Sequence, residues 1–205
     1  MKKQLIIIGA RSMGREVCNY ARDCGMDVKG FLDSESVVLD GFVGYPQVIS
    51  SVEEYEPREC DVFVCAIGDP AARKKYVECI SQKGGKFVSV VHPSAYVGAN
   101  VDIGDGVLIC PNATLTCDVK LAEHVIVNVN SSVSHDCTIG SYCSISPGVS
   151  IAGRVSLGVG VFVGVGAKVM PDVNIGSAVV VGAGAVVTKS WGAGTIMGVP
   201  ARLIF

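Results

Sequence analysis

Val91-His92-Pro93-Ser94-Ala95-Tyr96-Val97-Gly98-Ala99-Asn100-Val101-Asp102-Ile103-Gly104 opens the stretch, Val91 to Ser190, whose reading decides the fold. Counted in sixes, the first residue of each hexad is Val91, Val97, Ile103, Ile109, Leu115, Leu121, Val127, Val133, Ile139, Ile145, Ile151, Leu157, Val163, Val169, Ile175, Val181 and Val187. Every one is Val, Ile or Leu, and the register never slips. The fifth position is mostly small or compact, as at Ala95, Ala113, Ser131, Cys137, Cys143, Ala167 and Ala185. Gly follows the first position at Gly98, Gly104, Gly140, Gly158, Gly164, Gly176 and Gly182.

A fixed short period marks a solenoid. Six matches neither the 3.6-residue stripe of an amphipathic helix nor plain strand alternation. It suits a chain that makes a short strand, turns a corner and repeats. The aliphatic side chain then points inward, the fifth residue packs the corner, and the glycines are expected to serve turns with unusual dihedrals. Coils stack by parallel ladder bonds at ~4.8 Å, each stabilised mainly by its neighbours.

The 205-residue chain holds one or two domains. With 18% charged and 49% apolar residues it is globular. A formal net charge of -2 and no basic run argue against a nucleic-acid partner. No segment is long enough to span a bilayer, so no membrane insertion is expected. The apolar run Leu5-Ile6-Ile7-Ile8 is too short for a signal peptide, and Arg11 and Arg15 follow at once. Nine Cys without a secretory signal suggest a reducing cytoplasm. There is no Cys-x-x-Cys pair. Cys137 and Cys143 sit at fifth positions, which points to corner packing and no metal.

Residues 1–90 read as a small Rossmann-like parallel α/β domain and 91–205 as the solenoid with a C-terminal tail. Gln4 to Ala10 is a buried strand, Arg11 to Gly14 a turn, and Arg15 to Asp23 a helix with Val17, Tyr20 and Ala21 on one face. Strands follow at Val28–Leu32, ending at Asp33, and at Asp61–Ile67, closed by Gly68-Asp69-Pro70. Ala71 to Gln82 is a second helix, and Lys86 to Val91 a last strand. Asp40 to Tyr55 reads as a loop ending in a short helix. Gly9-Ala10-Arg11-Ser12-Met13-Gly14 lacks the middle glycine of a dinucleotide fingerprint, because Arg11 stands there. Gly9 and Gly14 then serve either another nucleotide in the same crevice or only the turn and a close helix contact.

The hexads resemble those of the hexapeptide-repeat acyltransferases, which implies a left-handed parallel β-helix with three hexads per triangular coil. Seventeen hexads would give between five and six coils, or ~25 Å of prism. Ile8-Gly9-Ala10 near the start, Phe31-Leu32-Asp33 after the second strand, and His92-Pro93-Ser94-Ala95 before the hexads narrow the likeness. They resemble one subfamily, the bacterial nucleotide-sugar N-acetyltransferases together with the sialic acid O-acetyltransferases. The likeness covers nearly the whole chain, down to Gly198-Val199-Pro200-Ala201-Arg202. It implies an acetyl-CoA-dependent N-acetyltransferase acting on a nucleotide-linked 4-amino-dideoxy sugar for surface-glycan assembly. It also implies a homotrimer with each active site between two β-helices. By the match, Gly9, Arg11, Ser12, Met13, Asp33, Ser34, Gly68 and Asp69 line the sugar-nucleotide pocket. Arg11-Ser12-Met13 replaces Ser-Gly-His of the compared UDP-sugar enzyme, and Asp33-Ser34 replaces two aspartates. A sugar O-acetyltransferase and a non-catalytic nucleotide-sensing scaffold are the alternatives.

Of three histidines, His92 at the junction has a structural role and His124 sits in an ordinary, solvated hexad turn. His135 lies in Asn128-Val129-Asn130-Ser131-Ser132-Val133-Ser134-His135-Asp136, which resembles the subfamily's catalytic Asn-to-His-Glu/Asp stretch. Acyl transfer needs a base for the amine or hydroxyl proton, and histidine titrates near neutrality. Asp136 can orient the ring only if the corner folds it back, since strand neighbours point to opposite faces. Gly153 stands eighteen residues on, one coil further, with room for a thioester beside a free amide. By resemblance that amide is the oxyanion donor. The segments at Gly164-Val165 and Gly182-Ala183, again eighteen apart, make a strip of small residues, and by resemblance these four touch coenzyme A. Ser144 falls where the compared enzyme has a cofactor-contacting histidine. Lys168 and Arg202 are candidates for phosphates on charge alone.

Overall fold

The computed structural model describes residues 2–204. Its first part contains β1 (Gln4–Ile8), α1 (Ser12–Asp23), β2 (Val28–Leu32), β3 (Val48–Ser50), β4 (Asp61–Cys65), α2 (Pro70–Gln82) and β5 (Lys86–Phe87). The five strands form one parallel sheet in the order β3-β2-β1-β4-β5. Leu5, Ile6, Ile7 and Ile8 are all buried because both sheet faces are covered. Their period-two alternation sends Leu5 and Ile7 into one core with Val17, Cys18 and Ala21 of α1. Ile6 and Ile8 enter another with Val77 and Ile80 of α2. Strand order reverses between β1 and β4, and an α/β sheet opens a crevice beyond the carboxyl ends of its strands at such a point.

Four local expectations are corrected. The first helix begins at Ser12 and not Arg15. Gly14 lets its first turn press on the β1 exit, where a Cβ would stand 1.9 Å from the Gly9 carbonyl oxygen. Asp40 to Tyr55 contains a short edge strand, β3, and turns in place of a helix. Gly30 of β2 makes room for it, since a Cβ there would meet the Ile49 side chain at 2.6 Å. The expected strand Lys86–Val91 is two strands, because the chain changes sheets within it. Val88 N–H still bonds Phe63 of β4, whereas Val90 N–H bonds Val107 of the next coil. The strand expected over Asp61–Ile67, β4, ends at Cys65.

From β6 (Val90–Val91) to β22 (Val186–Val187) the chain is a parallel β-solenoid of two-residue strands, each ending on the aliphatic residue of a hexad. Partners lie eighteen residues apart, as in Leu115↔Val133↔Ile151↔Val169. Three sheets result. Of the two-residue strands, six stack on one face, five on the second and six on the third. The first-position and fifth-position side chains fill the interior from Val107 to Val187. Cys137 and Cys143 are buried corner residues whose thiols donate to the Ala152 and Gly158 carbonyls, at 3.1 and 3.0 Å. β23 (Thr195–Met197) and β24 (Arg202–Ile204) extend the third face as a hairpin.

The second-position glycines do not supply left-handed dihedrals. They allow the next coil to approach: a Cβ on Gly98 would lie 1.6 Å from the Thr116 carbonyl oxygen, and one on Gly164 2.6 Å from Ala183 N. Left-handed backbone falls instead at the fourth position, in Gly148 and Gly160 but also in Asn112, Asn130, Asp136 and Tyr142. Asn and Asp tolerate that region best among residues with side chains.

The sheet domain packs on the third face, where Leu108 and Ile126 join the α1 core. Arg73 of α2, 1% exposed, spans the junction. Its Nε donates to the His124 carbonyl at 3.0 Å, Nη2 to Tyr142 and Cys143 at 2.6 and 3.1 Å, and Nη1 to Ile67 and Gly68 at 2.6 and 3.2 Å. Burial pulls its pKa down to about 10, and the guanidinium stays charged at neutral pH. His124 is not solvated, contrary to expectation. It is 5% exposed, stacked on Tyr142 with ring centroids 5.2 Å apart and edge-on to Phe87 at 4.8 Å. The reason is tertiary: the sheet domain covers this one corner. Burial, and then the Arg73 charge, push the His124 pKa down to about 4.

Candidate functional site

The candidate residues fall into two main groups, on opposite sides of the prism. The first surrounds the sheet crevice. Gly9, Asp33 and Ser34 line a small pocket with Ile8, Leu32 and Ile67 at the ends of β1, β2 and β4. Asp33 bridges these ends, with Oδ2 accepting from Ala10 N–H at 3.0 Å and Oδ1 from Glu35 N–H at 3.2 Å. Arg11 precedes α1 and pairs with Glu35 across the rim at 2.7 Å. Ser12 opens α1, and the Met13 sulfur lies beside Gly68. Asp69 caps α2 by accepting from Ala72 N–H at 2.7 Å. Both helices thus begin at this rim, where their N-termini favour negative charge. The eight residues read from sequence come together here, and three of them also build the rim: Asp33 by its two backbone bonds, Arg11 by its ion pair and Asp69 by its cap.

The second group lies on the edge between the first and second faces. His135 is in the corner between β13 (Ser132–Val133) and β14 (Thr138–Ile139). Asp136 has φ +60°, and this left-handed step folds its carboxylate back to His135, with Oδ2 2.7 Å from Nδ1. A carboxylate accepts, so Nδ1–H donates and Nε2 is left with its lone pair. Gly153 lies one coil on, and Arg154 N–H bonds the His135 carbonyl at 2.9 Å. A Cβ on Gly153 would stand 2.6 Å from His135 Nε2 and 2.5 Å from Cε1. The missing side chain therefore makes room for the imidazole. Among the described residues the Gly153 N–H has no backbone or side-chain acceptor.

The remaining positions fall elsewhere in the single chain. Gly164-Val165 and Gly182-Ala183 stack as expected, with Val165 56% exposed, but on the edge between the third and first faces. Lys168 is exposed on the first face beside that strip, and Arg202 is exposed in β24. Ser144, in β15 (Ser144–Ile145), is buried against the sheet domain and donates its hydroxyl hydrogen to the Gly68 carbonyl. It joins the crevice to the third face and is not brought to His135. His92 holds Ser94 Oγ at 2.8 Å and Asp23 at 3.2 Å, a local junction contact. Arg73 and Tyr142 escaped the sequence reading. Arg73 looks there like part of the charged run Arg73-Lys74-Lys75, and no sequence signal separates it. Among the described residues no group of three or more His, Cys, Asp or Glu is arranged to hold a metal ion, and no helix is long and apolar enough to cross a membrane.

Comparison with known proteins bears on both halves. Residues 4–80 match the PglD N-terminal domain family. The chain is 32% identical over 115 residues to the UDP-N-acetylbacillosamine N-acetyltransferase of Bacillus subtilis, an overlap of 52% of this chain and 51% of that protein. It therefore spans about half the length of that curated relative. The structure resembles the acetyltransferase domain of PglB from Neisseria gonorrhoeae, with a TM-score of 0.92 and 29% identity over 99% of this chain and 100% of that one. A second structure of that domain is a complex with acetyl coenzyme A, at TM-score 0.90 and 28% identity over 100% of both chains. PerB from Caulobacter crescentus, solved in complex with CoA and GDP-perosamine, matches with a TM-score of 0.89 and 31% identity over 98% of this chain and 97% of that one.

Proposed function

The chain belongs to the hexapeptide-repeat sugar acetyltransferases, and from that premise we propose that it is an acetyl-CoA-dependent N-acetyltransferase of a nucleotide-linked 4-amino sugar. The observation that carries the proposal is the His135–Asp136 pair seated on Gly153. Asp136 holds Nδ1–H, so Nε2 accepts a proton from the sugar amine as its nitrogen attacks the thioester carbon. The C–S bond then breaks, and the leaving thiolate takes the proton from the His135 imidazolium, which restores the base. The Gly153 N–H is the donor for the oxyanion formed between these events. Asp136 stabilises the imidazolium without itself taking the proton.

The crevice at Gly9, Asp33, Ser34 and Gly68 binds the sugar nucleotide, with its phosphates toward the helix N-termini. Gly164, Val165, Gly182 and Ala183 bind coenzyme A through exposed backbone, with Lys168 and Arg202 near its phosphates and Ser144 at the crevice wall. Residues 1–90 thus select the acceptor and residues 91–205 the donor. In a single chain the crevice lies on the third face and His135 on the opposite edge. A homotrimer, with each site between two prisms, brings the crevice of one chain to the His135 edge of another. Nine cysteines, all free, fit a reducing cytoplasmic setting, and an amino-sugar nucleotide as acceptor fits a part in surface-glycan assembly.

A thiol-release assay with acetyl-CoA tests the proposal against UDP-, dTDP- and GDP-linked 4-amino sugars, with free sialic acid as the hydroxyl acceptor. Turnover with an amino-sugar nucleotide is expected. Turnover with sialic acid alone would replace the amine by a hydroxyl, and no turnover with any acceptor would contradict the proposal.

A further inference from the structure

The fourth residues of the hexads on the His135 edge form a column: Asn100, Asp118, Asp136, Arg154 and Asp172, each with φ between +55° and +62°. Shared dihedrals aim their side chains alike, one coil apart, or ~4.8 Å. Neighbours in the column pair. Asn100 Nδ2 donates to Asp118 Oδ1 at 3.0 Å. Arg154 Nε donates to Asp172 Oδ1 at 2.6 Å and Nη2 to Oδ2 at 2.9 Å. Asp136 alone turns sideways, to His135.

Arg154 has a carboxylate on each side, Asp136 one coil before and Asp172 one coil after. Both arms of its fork are taken by Asp172 in the bidentate geometry that makes such pairs strong and directional. The pairing raises the Arg154 pKa and lowers that of Asp172. The other charged or titratable groups around Asp136 are His135 beside it and Cys117 and Asp118 on the preceding coil. The hydrogen bond to Asp118 raises the Cys117 pKa, which favours its neutral thiol. Arg154 is therefore the one cation of the column able to take Asp136 from His135.

We infer that Asp172 is a positioning residue for the acetyl transfer: it holds the Arg154 guanidinium off Asp136, so that the Asp136 carboxylate stays on His135. The inference rests on the reading of His135 as the base. Asp172 sits two coils from Asp136; its backbone N–H bonds the Gly153 carbonyl at 3.2 Å, while its carboxylate bonds Arg154 and neither His135 nor Gly153. Without it, the nearest carboxylate for Arg154 is Asp136, and an imidazole that loses its charged partner loses orientation and imidazolium stabilisation.

Three variants decide the matter: Asp172→Ala, Arg154→Ala and the double variant. Exposed ion pairs add little to stability, so all three should fold. Asp172→Ala should lower kcat about ten- to hundredfold, the range for a lost hydrogen bond to a charged group, with both KM values unchanged. Arg154→Ala should match the wild type, and the double variant should recover its kcat. A wild-type kcat in Asp172→Ala would overturn the inference, as would equal losses in both single variants with no recovery in the double. A higher KM for acetyl-CoA in Arg154→Ala would make Arg154 a coenzyme ligand and also overturn it. The crystal structure of Asp172→Ala separates this from the base assignment. If His135→Ala stays active, the base reading fails, whereas Arg154 found on Asp136 still supports the competition and Arg154 found elsewhere refutes it.

Discussion

Gly153 lies under the His135 ring, so close that a methyl group on it would stand 2.6 Å from Nε2. The contact is set by the repeat, which places residue 153 one coil beyond residue 135. Gly153→Ala keeps the backbone N–H but drives the imidazole from its seat. We expect kcat to fall roughly a hundredfold or more, the scale of losing a positioned base. The exposed ring can swing aside, so the melting temperature should change little. Wild-type kcat in Gly153→Ala would show that the base works from another rotamer.

Asp33 holds the crevice rim together by accepting from Ala10 and Glu35 N–H groups. Each oxygen keeps a lone pair for a ribose hydroxyl or a base N–H. Asp33→Ala should raise KM for the sugar nucleotide about ten- to hundredfold, as for a lost hydrogen bond to a charged group. KM for acetyl-CoA should not change. Steady-state kinetics with each substrate varied in turn check this, and equal losses for both would point to general damage.

Arg73 donates to five carbonyl oxygens at the junction, three in solenoid corners (His124, Tyr142 and Cys143) and two in the turn before α2 (Ile67 and Gly68). Arg73→Met fills similar volume without the donors. Stranding several buried acceptors should cost on the order of 3 kcal/mol or more, at about 1–3 kcal/mol for each unsatisfied group. Denaturant unfolding followed by near-ultraviolet circular dichroism measures the loss. A change below about 1 kcal/mol would mean that water replaces the guanidinium without penalty.

His124 gives the fold an acid-sensitive joint. Its folded pKa is pushed down to about 4, against an ordinary 6.5. Between these values the unfolded chain binds the proton and the folded one does not, so stability falls as pH drops through that window. Asp61 acts lower down. Burial pushes its pKa up, but the bonds from Lys29, Arg58 N–H and Tyr55 outweigh this and hold it below 3.8. Its contribution is therefore present above 3.8 and lost as pH falls through the folded value. His124→Phe should flatten the decline between pH 6.5 and 4 and leave the steeper one below it. An unchanged slope in this variant, measured by thermal melting across pH, would exclude His124 as the source.

Much of this architecture was legible because the hexads repeat without a slip. Seventeen aliphatic positions fix the strands, and a period of eighteen predicts that Gly153 meets His135 before any coordinate is known. The left-handed fourth position was legible too, since Asn100, Asn112, Asp118, Asn130 and Asp136 recur at it, but the second-position glycines are the louder signal. What stayed hidden depends on contacts between distant parts. His124 occupies the same repeat position as Asp136, yet one is covered by the sheet domain and the other faces solvent. Arg73 belongs to a charged helical run, and only carbonyls from remote corners account for its burial. β3 exists because Gly30, 18 residues earlier, leaves its neighbour room, which no local pattern in residues 40–55 records.

The most direct measurement is the turnover of His135→Ala with acetyl-CoA and an amino-sugar nucleotide, beside coenzyme A binding by calorimetry on the same sample. The account predicts a loss of kcat of about 100- to 10,000-fold, the range for removing a general base, with coenzyme A affinity unchanged. A folded variant that binds coenzyme A and turns over near the wild-type rate would contradict it.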